Sequence, residues 1–441
     1  MAGENNFDEK GKGRGKSREE LIRHSWSSLE KNESLSLKEK LERLLALARE
    51  SKIKKSPPSP EEGASWPEIE VNMTRISGFR IFENTYPLDY KYGRVLLGQG
   101  LRIEGRILAL LAHNEAFEKL DLSSALFLDL ETTGLSGGVG VIPFLIGFGY
   151  FGQAGFEIRQ FFLGEPAEEE AMIQEVYRFL ESNPFESIVS FNGKGFDLPI
   201  LETRFTLHRL PFLLGELPHL DFIFAARALW KHKLESCRLS HLAEQVIKAP
   251  RWEDIPSAEV PIRYFSYLRS GQFSFVEPVL EHNLQDILSL LGIIIAASDL
   301  IESCSFPEEV DGSDLIGLAR ILEAAGEAER SFELLERALR QGVPDSLAFT
   351  LKKKLAWYWK KNRQWAKAVA LWEEMATSGK LFCYRELAMY YEHCCRDYER
   401  ARQLAAAGLS LARGVSKTYE EDFLRRLQRL EAKIQKGRLI G

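Results

Sequence analysis

The sequence predicts an α/β domain with a mixed sheet, followed by a wholly helical region. Three short apolar runs at 125–130, 143–151 and 156–162 are joined by glycine-rich turns, a pattern typical of an antiparallel meander. Strand–helix units follow these runs, and a meander followed by such units gives a mixed sheet with helices on its faces. Only helical periodicity remains from residue 313 onward, so the 441 residues are expected to form two or more domains.

The part of the chain before the α/β pattern shows no candidate chemistry. Residues 1–65 are predicted to be poorly ordered, because a basic glycine-rich run is followed by a proline-rich linker. One amphipathic helix is expected within them, since Ser36 and Glu39 form a capping box ahead of leucines at helical spacing. Residues 66–122 carry short β-type runs and one apolar helical run, which predicts a small N-terminal extension.

The α/β domain is predicted over residues 123–302. After the three strands of the meander, the apolar periodicity alternates between strand and helix. The expected elements are a helix at 167–182, a strand at 187–191, a helix at 197–208 and a short strand near 219–223. Several further helices complete the domain.

Residues 313–441 are predicted to form helical repeats. Leu318, Leu355 and Leu387 each precede an alanine in a first helix, and they recur at separations of 37 and 32 residues. A second helix follows each first helix. Paired helices with a period near about 34 residues resemble tetratricopeptide repeats. A region of this kind is expected to bind a protein partner.

Composition narrows the class of protein. The net charge is −6, with 45% hydrophobic and 28% charged residues, which predicts a soluble globular protein whose nucleic-acid contacts would come from a local basic patch. No run of about 18 uncharged apolar residues is present, so no membrane span is expected. The five cysteines form no CxxC pair, which favours reduced thiols and a cytoplasmic protein.

The stretch FLDLETTG at 127–134 places two acids in an apolar run. In a strand, Asp129 and Glu131 project from one face while the leucines beside them face the other way. Adjacent acids repel each other unless a cation lies between them. The pair is therefore either a solvated strand end or half of a metal site.

Two later stretches add acids to this pair. Asp197 stands at a predicted helix start, where a helix N-cap is the alternative interpretation. His282 and Asp286 are four residues apart and share one helix face, although such pairs are common on surfaces. Acids beside buried segments are usually paired or bound to metal. Four hard oxygen ligands, from Asp129, Glu131, Asp197 and Asp286, favour Mg²⁺ or Mn²⁺ over Zn²⁺.

The order and context of these residues resemble the DEDD superfamily of 3′–5′ exonucleases, which has a ribonuclease H-like fold. Asp129 and Glu131 match its first motif, Asp197 matches the second and Asp286 matches the third. A closer resemblance, to a bacterial family of predicted exonucleases with a helical-repeat tail, is carried by the stretches FLDLETTGL, SFNGKGFDLPILETRF and HNLQDILSLL. His282 departs from the superfamily pattern, because it stands at the spacing that a tyrosine occupies in one subclass.

This resemblance implies a ribonuclease H-like mixed sheet and a metal-dependent 3′–5′ exonuclease that hydrolyses the phosphodiester bonds of single-stranded DNA or RNA. The four acids would hold two divalent ions, Mg²⁺ or Mn²⁺. His282 would orient or deprotonate the attacking water. Two alternatives stay open, namely a structure-selective endonuclease on the same fold and a catalytically silent scaffold that binds nucleic acid or protein.

Candidate substrate contacts lie beside the motifs that carry the acids. Thr132 and Gly134 shape the turn after the first two acids, where backbone amides could meet a terminal nucleotide. Asn192 precedes Asp197 and is a further candidate nucleotide contact, whereas the neighbouring Phe191 is more typical of a core residue.

A basic segment at 223–251 supplies further candidate contacts with backbone phosphates. Arg227 and Lys231 lie in it, and Trp230 offers a ring on which bases could stack. A solvated helix face is the alternative interpretation, because charged runs usually have that role.

Overall fold

The computed structural model describes residues 71–76, 78–134, 140–249, 251, 255–303 and 310–440. The poorly ordered segment predicted at 1–65, and the amphipathic helix predicted within it, lie outside the described residues. The described cysteines, Cys237, Cys383, Cys394 and Cys395, are free thiols. A cytoplasmic location stays a prediction.

A seven-stranded mixed sheet organises the first half of the chain. Its strands are β1 (Val71–Ile76), β2 (Phe79–Tyr86), β5 (Ala125–Thr132), β6 (Pro143–Phe151), β7 (Phe156–Leu163), β8 (Ser187–Ser190) and β9 (His219–Asp221). They are hydrogen-bonded in the order β1-β2-β7-β6-β5-β8-β9. Two short strands, β3 (Lys91–Tyr92) and β4 (Val95–Leu96), form a separate hairpin.

The predicted meander is confirmed, because β5, β6 and β7 pair antiparallel in sequence order. Strands β8 and β9 then continue the sheet in parallel with β5. The segment predicted as a small extension adds β1 and β2 to this same sheet, since β2 pairs antiparallel with β7 along its whole length. The α/β fold class with a mixed sheet is therefore confirmed.

Helices cover the faces of the sheet and make up the second half of the chain. In the first half they are α1 (Gly105–Ala112), α2 (Glu169–Ser182), α3 (Asp197–Leu207), α4 (Phe222–Trp230), α5 (Leu239–Leu242), α6 (Val260–Ser270) and α7 (Glu277–Glu302). In the second half they are α8 (Gly312–Ala324), α9 (Ala328–Gln341), α10 (Asp345–Lys361), α11 (Trp365–Ala376), α12 (Leu381–Tyr390), α13 (Tyr398–Ala412) and α14 (Lys417–Ile440). The all-helical C-terminal region is confirmed, whereas its resemblance to tetratricopeptide repeats stays a prediction.

The described residues fall into two compact units. The first takes those within Met1–Leu108, Ala116–Phe222 and Arg238–Ala296, and the second takes those within Ala109–Glu115, Ile223–Cys237 and Ala297–Gly441. One apolar core in the first unit joins the sheet to the helices, and within it Phe148 stacks on Phe179 and meets Phe161 edge to face. The predicted domain boundaries at 123–302 and 313–441 stay predictions.

Helix α7 is apolar enough to resemble a membrane span. It contains an 18-residue window with a mean hydropathy of 1.8, but 78% of that window is buried inside the protein. Such burial is expected of the central helix of a globular domain. The expected absence of a membrane span stays a prediction.

In the helical unit, a buried acid ties the last helix to the preceding ones. Glu392, in a π-helical turn at Tyr391–Cys395, has a fully buried side chain. Its carboxylate accepts hydrogen bonds from Arg426 Nη1 at 2.8 Å, from Arg429 Nε at 2.8 Å and from Lys433 Nζ at 2.9 Å. All three cations belong to α14, so a charge network holds this helix in place.

Candidate active site

Strand β5 places Asp129 and Glu131 on one face of the sheet. Leu128 and Leu130 are buried, with 1% and 6% of their surfaces exposed. Asp129 and Glu131 are half-buried. The register of the strand shifts between Glu131 and Thr132, which ends the regular pairing with β6. The two acids therefore lie at the carboxyl end of β5, the end at which parallel sheets usually bind ligands.

Helix α7 brings His282 and Asp286 to the same place. His282 Nε2 lies 3.7 Å from Glu131 Oε1 and 3.8 Å from Asp286 Oδ2. The imidazole ring thus stands between two of the predicted acids. These distances are too long for hydrogen bonds, so the ring could turn to a water or ligand placed between the carboxylates.

Asn283, which the sequence analysis did not identify, binds Asp129 directly. Its Nδ2 lies 2.7 Å from Asp129 Oδ2 and 3.1 Å from the Asp129 carbonyl oxygen. Its Oδ1 accepts a hydrogen bond from Gln160 Nε2 at 2.8 Å. The side chain is fully buried, and both of its ends are bonded, so it holds the Asp129 carboxylate in one orientation.

Gly147 makes this contact possible. It pairs with Asp129 across β5 and β6, and a Cβ atom at this position would lie 2.2 Å from Asn283 Oδ1. Any other residue would therefore push Asn283 away from Asp129. A glycine inside a strand is the one sequence signal that could have indicated this close approach.

Asp197 reaches the first two acids from helix α3. It is 7% exposed, and its Oδ1 accepts a hydrogen bond from the backbone N–H of Leu130 at 3.2 Å. The alternative interpretation, a helix N-cap, is wrong, because Asp197 is the first helical residue and Phe196 holds the N-cap position. The carboxylate is fixed to strand β5, between the two acids of the first motif.

Electrostatic repulsion is strong at this point. Burial raises the pKa of Asp129 well above its usual range, and the nearby Asp286, Glu131 and Asp197 raise it further. Burial also raises the pKa of Asp197 to about 7, against the opposing hydrogen bond from Leu130. Burial and neighbouring negative charge both disfavour the ionised carboxylates here, and a bound cation would favour the ionised form.

Arg251 supplies one positive charge to this cluster. Its guanidinium donates a hydrogen bond to Asp286 Oδ1, and Nη2 also lies 3.3 Å from Ser289 Oγ. The side chain is only 2% exposed. Arg251 ends the basic segment at 223–251 that was predicted to contact backbone phosphates, but its side chain is buried against Asp286 and does not belong to a surface patch.

The predicted substrate contacts fall into two groups. Thr132 donates a hydrogen bond from Oγ1 to the Gly134 carbonyl at 2.6 Å, so the pair shapes the turn after β5. Asn192 is exposed on the turn that precedes Asp197. All of them belong to the compact unit that contains the acids.

Arg227 and Lys231 are exposed, but they belong to the helical unit. Trp230, between them, is only 4% exposed and packs in the protein interior. The predicted stacking role of Trp230 is therefore wrong, because its ring is not available to bases. Contacts of Arg227 and Lys231 with a substrate stay predictions.

Comparison with known proteins places this site in a family. A family model described as RNase_H superfamily matches residues 126–297. The chain is 32% identical to the uncharacterized protein YprB of Bacillus subtilis (strain 168) over an alignment of 364 residues. This alignment covers 80% of this chain and 86% of YprB. The chain belongs to the YprB family. The family B DNA polymerase from the hyperthermophilic archaeon Pyrobaculum calidifontis is 19% identical, with a TM-score of 0.34, and the match covers 49% of this chain and 29% of the polymerase.

The ribonuclease H-like domain of this YprB-family chain includes all four predicted acids. Ribonuclease H-like nucleases generally use divalent metal ions. Within the parts of the chain that the structure describes, no three His, Cys, Asp or Glu side chains stand ready to hold an ion. Three of the four acids accept hydrogen bonds from other protein groups, namely Asp129 from Asn283, Asp197 from Leu130 and Asp286 from Arg251.

The donor set nevertheless fits a hard divalent ion in this YprB-family protein. Its acids are carboxylates, which Mg²⁺ and Mn²⁺ prefer, and their mutual repulsion is relieved by positive charge. Binding would require Asp286 to exchange Arg251 for the ion, whereas Asn283 bonds Oδ2 of Asp129 and leaves the other carboxylate oxygen to the ion. This chain therefore presents a candidate metal centre in which Asp129, Asp197 and Asp286 are hydrogen-bonded within the protein.

Proposed function

We propose that this protein is a metal-dependent 3′–5′ exonuclease that hydrolyses phosphodiester bonds in single-stranded DNA or RNA. One observation carries the proposal. Asp129, Glu131, Asp197 and Asp286 gather with His282 at the carboxyl end of β5, in a domain of the ribonuclease H-like superfamily. The ribonuclease H-like fold supports a nuclease, and the arrangement of the four acids supports the exonuclease type.

The acids would hold two divalent ions, Mg²⁺ or Mn²⁺. Ions bound there would supply an activated water and stabilise the charge that develops on the leaving oxygen. Asn283 keeps the Asp129 carboxylate turned toward the site, and the Leu130 N–H does the same for Asp197. These fixed orientations reduce the reorganisation that binding and reaction require.

His282 is proposed to orient or deprotonate the attacking water. Its Nε2 stands between Glu131 and Asp286, at 3.7 and 3.8 Å. A water held between those carboxylates would lie within reach of this nitrogen, which accepts a proton when the ring is neutral. Arg251, bound to Asp286, would then be displaced from that carboxylate by the ion.

The test is degradation of single-stranded DNA and RNA labelled at the 5′ end, with Mg²⁺ and with Mn²⁺. We expect the wild type to shorten strands stepwise from the 3′ end. Asp129→Asn should reduce the rate by roughly 10³-fold or more while leaving the fold intact. Asp121→Asn is the matched control, because Asp121 is exposed and only caps the turn before β5.

Three results separate the alternatives. Cleavage of circular strands, or of strands blocked at the 3′ end, would indicate an endonuclease on the same fold. Binding of nucleic acid without cleavage under any metal would indicate a silent scaffold. Equal rates for Asp129→Asn and the wild type would exclude the proposed site. Divalent ions should also raise the melting temperature of the wild type more than that of Asp129→Asn.

A further inference from the structure

The turn between β8 and α3 has an unusual internal support. The backbone N–H groups of three successive residues all donate to side chains at the ends of β8 and β9. Asn192 N lies 2.6 Å from Asp221 Oδ1, and Lys194 N lies 3.1 Å from Asp221 Oδ2. Between them, Gly193 N lies 3.2 Å from Ser190 Oγ. The two oxygens of the Asp221 carboxylate therefore accept hydrogen bonds from both ends of the turn.

The turn adopts a conformation that needs such support. Asn192 has a φ of +72°, in the left-handed region that asparagine adopts more readily than most residues other than glycine. A Cβ on Gly193 would lie 2.5 Å from Ser190 Oγ, so the chain passes too close to the end of β8 for a larger residue. Hydrogen bonds from the ends of β8 and β9 hold this closely packed turn in place.

Asp221 is placed to hold the turn. It ends β9, pairs in register with Ser190 of β8, and is only 4% exposed. Successive N–H groups that converge on an anion are a common way in which proteins bind phosphate. Here the anion is a side chain of the protein itself. The amides of this turn are consequently engaged, and only its side chains remain available to a substrate.

The hydrogen bond between Gly193 and Ser190 is supported by a neighbouring histidine. Ser190 Oγ accepts from the Gly193 N–H and lies 2.7 Å from His219 Nε2. Burial, with a contribution from the charge of Lys194, lowers the pKa of His219 to about 4. The ring is therefore neutral near pH 7, so Nε2 can accept the hydroxyl proton of Ser190 while the hydroxyl oxygen faces Gly193.

The turn adjoins one of the candidate metal ligands. It leads directly into Asp197, and a Cβ on Gly193 would lie 3.2 Å from Asp197 Oδ2. The Gly193 carbonyl accepts the N–H of Leu198 at 2.9 Å, which joins the turn to the first turn of α3. Asn192 and Lys194 are exposed on this same short segment.

We propose that Asp221 is a positioning residue that holds the Asn192–Lys194 turn so that Lys194, with Asn192, meets the phosphate backbone of a nucleic-acid strand at the carboxylate site. The identity of the ligand rests on the proposed nuclease function. The positioning of the turn by Asp221 does not, because it follows from the hydrogen bonds alone.

The first experiment measures backbone hydrogen exchange in the full-length protein. Asp221→Asn keeps the size of the side chain but leaves one acceptor oxygen, so one of the two N–H groups loses its partner. We expect peptides that contain 192–194 to exchange roughly tenfold faster or more, which corresponds to a loss of about 1.4 kcal/mol of protection. Asp121→Asn is the control, because Asp121 likewise accepts a backbone N–H, from Ser123 at 2.8 Å.

Asp221→Glu keeps the proposal testable if Asp221→Asn does not fold. Its carboxylate can still accept both N–H groups after a small adjustment, so its exchange should lie between those of the wild type and Asp221→Asn. Unchanged exchange at 192–194 in both variants would overturn the positioning role. Faster exchange spread evenly over the whole domain would also overturn it, since it would indicate general destabilisation.

The second experiment measures the binding of a fluorescein-labelled single strand, in an Asp129→Asn background that prevents turnover. Lys194→Ala should weaken binding about fivefold to tenfold and should reduce the dependence of affinity on salt by roughly one phosphate contact. Asp221→Asn should weaken binding similarly. The double variant should lose little more than either single variant, because Asp221 acts through Lys194.

Additive losses in the double variant would overturn the link between Asp221 and Lys194. Unchanged affinity in Lys194→Ala would overturn its contact with phosphate. The proposed function fails separately, if the wild type binds the strand with this pattern but cleaves neither DNA nor RNA. If the wild type is active, and if Asp221→Asn raises KM while kcat stays nearly unchanged, the result would support both the proposed function and the positioning role. The reason is that a lost substrate contact mainly weakens binding.

Discussion

Asn283 donates a hydrogen bond of 2.7 Å to Asp129, and Gly147 leaves the space for it because a Cβ atom there would collide with Asn283. The same asparagine accepts from Gln160, so three elements of the sheet and helix α7 meet at one carboxylate. The acid that we place at the centre of the site is therefore held by a neutral amide and not by a cation. A metal ion that binds Asp129 would therefore have no cation to displace from this carboxylate.

Replacement of Asn283 by alanine is expected to reduce both activity and stability. It removes the donor to Asp129 and leaves the amide of Gln160 with one acceptor fewer, so the free energy of unfolding should fall by about 1–3 kcal/mol. Nuclease activity should fall by roughly 10–100-fold, the usual effect of a residue that orients a metal ligand. Urea unfolding and strand degradation measure the two effects.

Asn183→Ala is the matched control for this variant, because Asn183 donates to the Phe179 carbonyl at 2.8 Å at the end of α2. It should cost stability without a comparable loss of activity at a temperature where both proteins are folded. Full activity in Asn283→Ala would contradict the orienting role.

His282→Ala is expected to reduce kcat by roughly 10²–10⁴-fold, the usual contribution of a positioned general base. His282→Tyr should recover part of this loss, because a phenol at the same position can orient a water without taking its proton near neutral pH. Mn²⁺ affinity, measured by calorimetry, should change little in either variant. His241→Ala serves as the control, and equal rates for His282→Ala and the wild type between pH 6 and 9 would remove His282 from the mechanism.

Arg251→Met is expected to strengthen Mn²⁺ binding. In the protein without metal, Arg251 neutralises Asp286, so an ion must compete with the guanidinium for that carboxylate. Removal of the competing charge should raise the affinity for Mn²⁺ by roughly tenfold, about 1.4 kcal/mol, and should lower stability without metal. Lys248→Met, at an exposed cation on the same connection, should change neither, and weaker Mn²⁺ binding in Arg251→Met would contradict the competition.

Glu392 is expected to make the stability of the helical unit depend on pH. Burial alone would raise its pKa, but hydrogen bonds from Arg429 and Lys433 outweigh this effect and lower the pKa from 4.5 to about 2. A lowered pKa in the folded state stabilises the protein above the unfolded value and loses this contribution as the pH falls from about 4.5 to about 2. Glu392→Gln should therefore lower the free energy of unfolding at pH 7 by about 1–3 kcal/mol.

The difference between Glu392→Gln and the wild type should shrink as the pH falls through this range, because the wild type then takes up a proton. Urea unfolding followed by tryptophan fluorescence measures the difference at each pH. Glu399→Gln changes an exposed acid of the same unit and should have an effect below about 1 kcal/mol. A difference that is constant between pH 7 and pH 3 would contradict the pKa shift.

The features that sequence periodicity predicts are those set by neighbours along the chain. Strands β5, β6 and β7 were expected within one or two residues of their bounds, because their apolar runs and glycine turns are local signals. Asp129 and Glu131 share a face because side chains in a strand alternate. His282 and Asp286 share a face because they lie one helical turn apart.

The features that periodicity did not predict depend on pairing between distant segments. The role of Asn283 follows from the register that places Gly147 opposite Asp129, and the role of Asp221 follows from its pairing with Ser190. Neither register is visible in a local pattern. The basic neighbours of Trp230 predicted an exposed ring, but the side chain lies on the apolar side of α4 and is buried.

The network at Glu392 also constrains the order in which the helical unit can be completed during translation. The acid leaves the ribosome first, and its partners Arg426, Arg429 and Lys433 follow 34, 37 and 41 residues later. At ~5–20 residues per second this delay lasts roughly 2–8 s. Throughout that interval the nascent chain cannot bury Glu392 at low cost, so this part of the unit closes only after α14 has emerged.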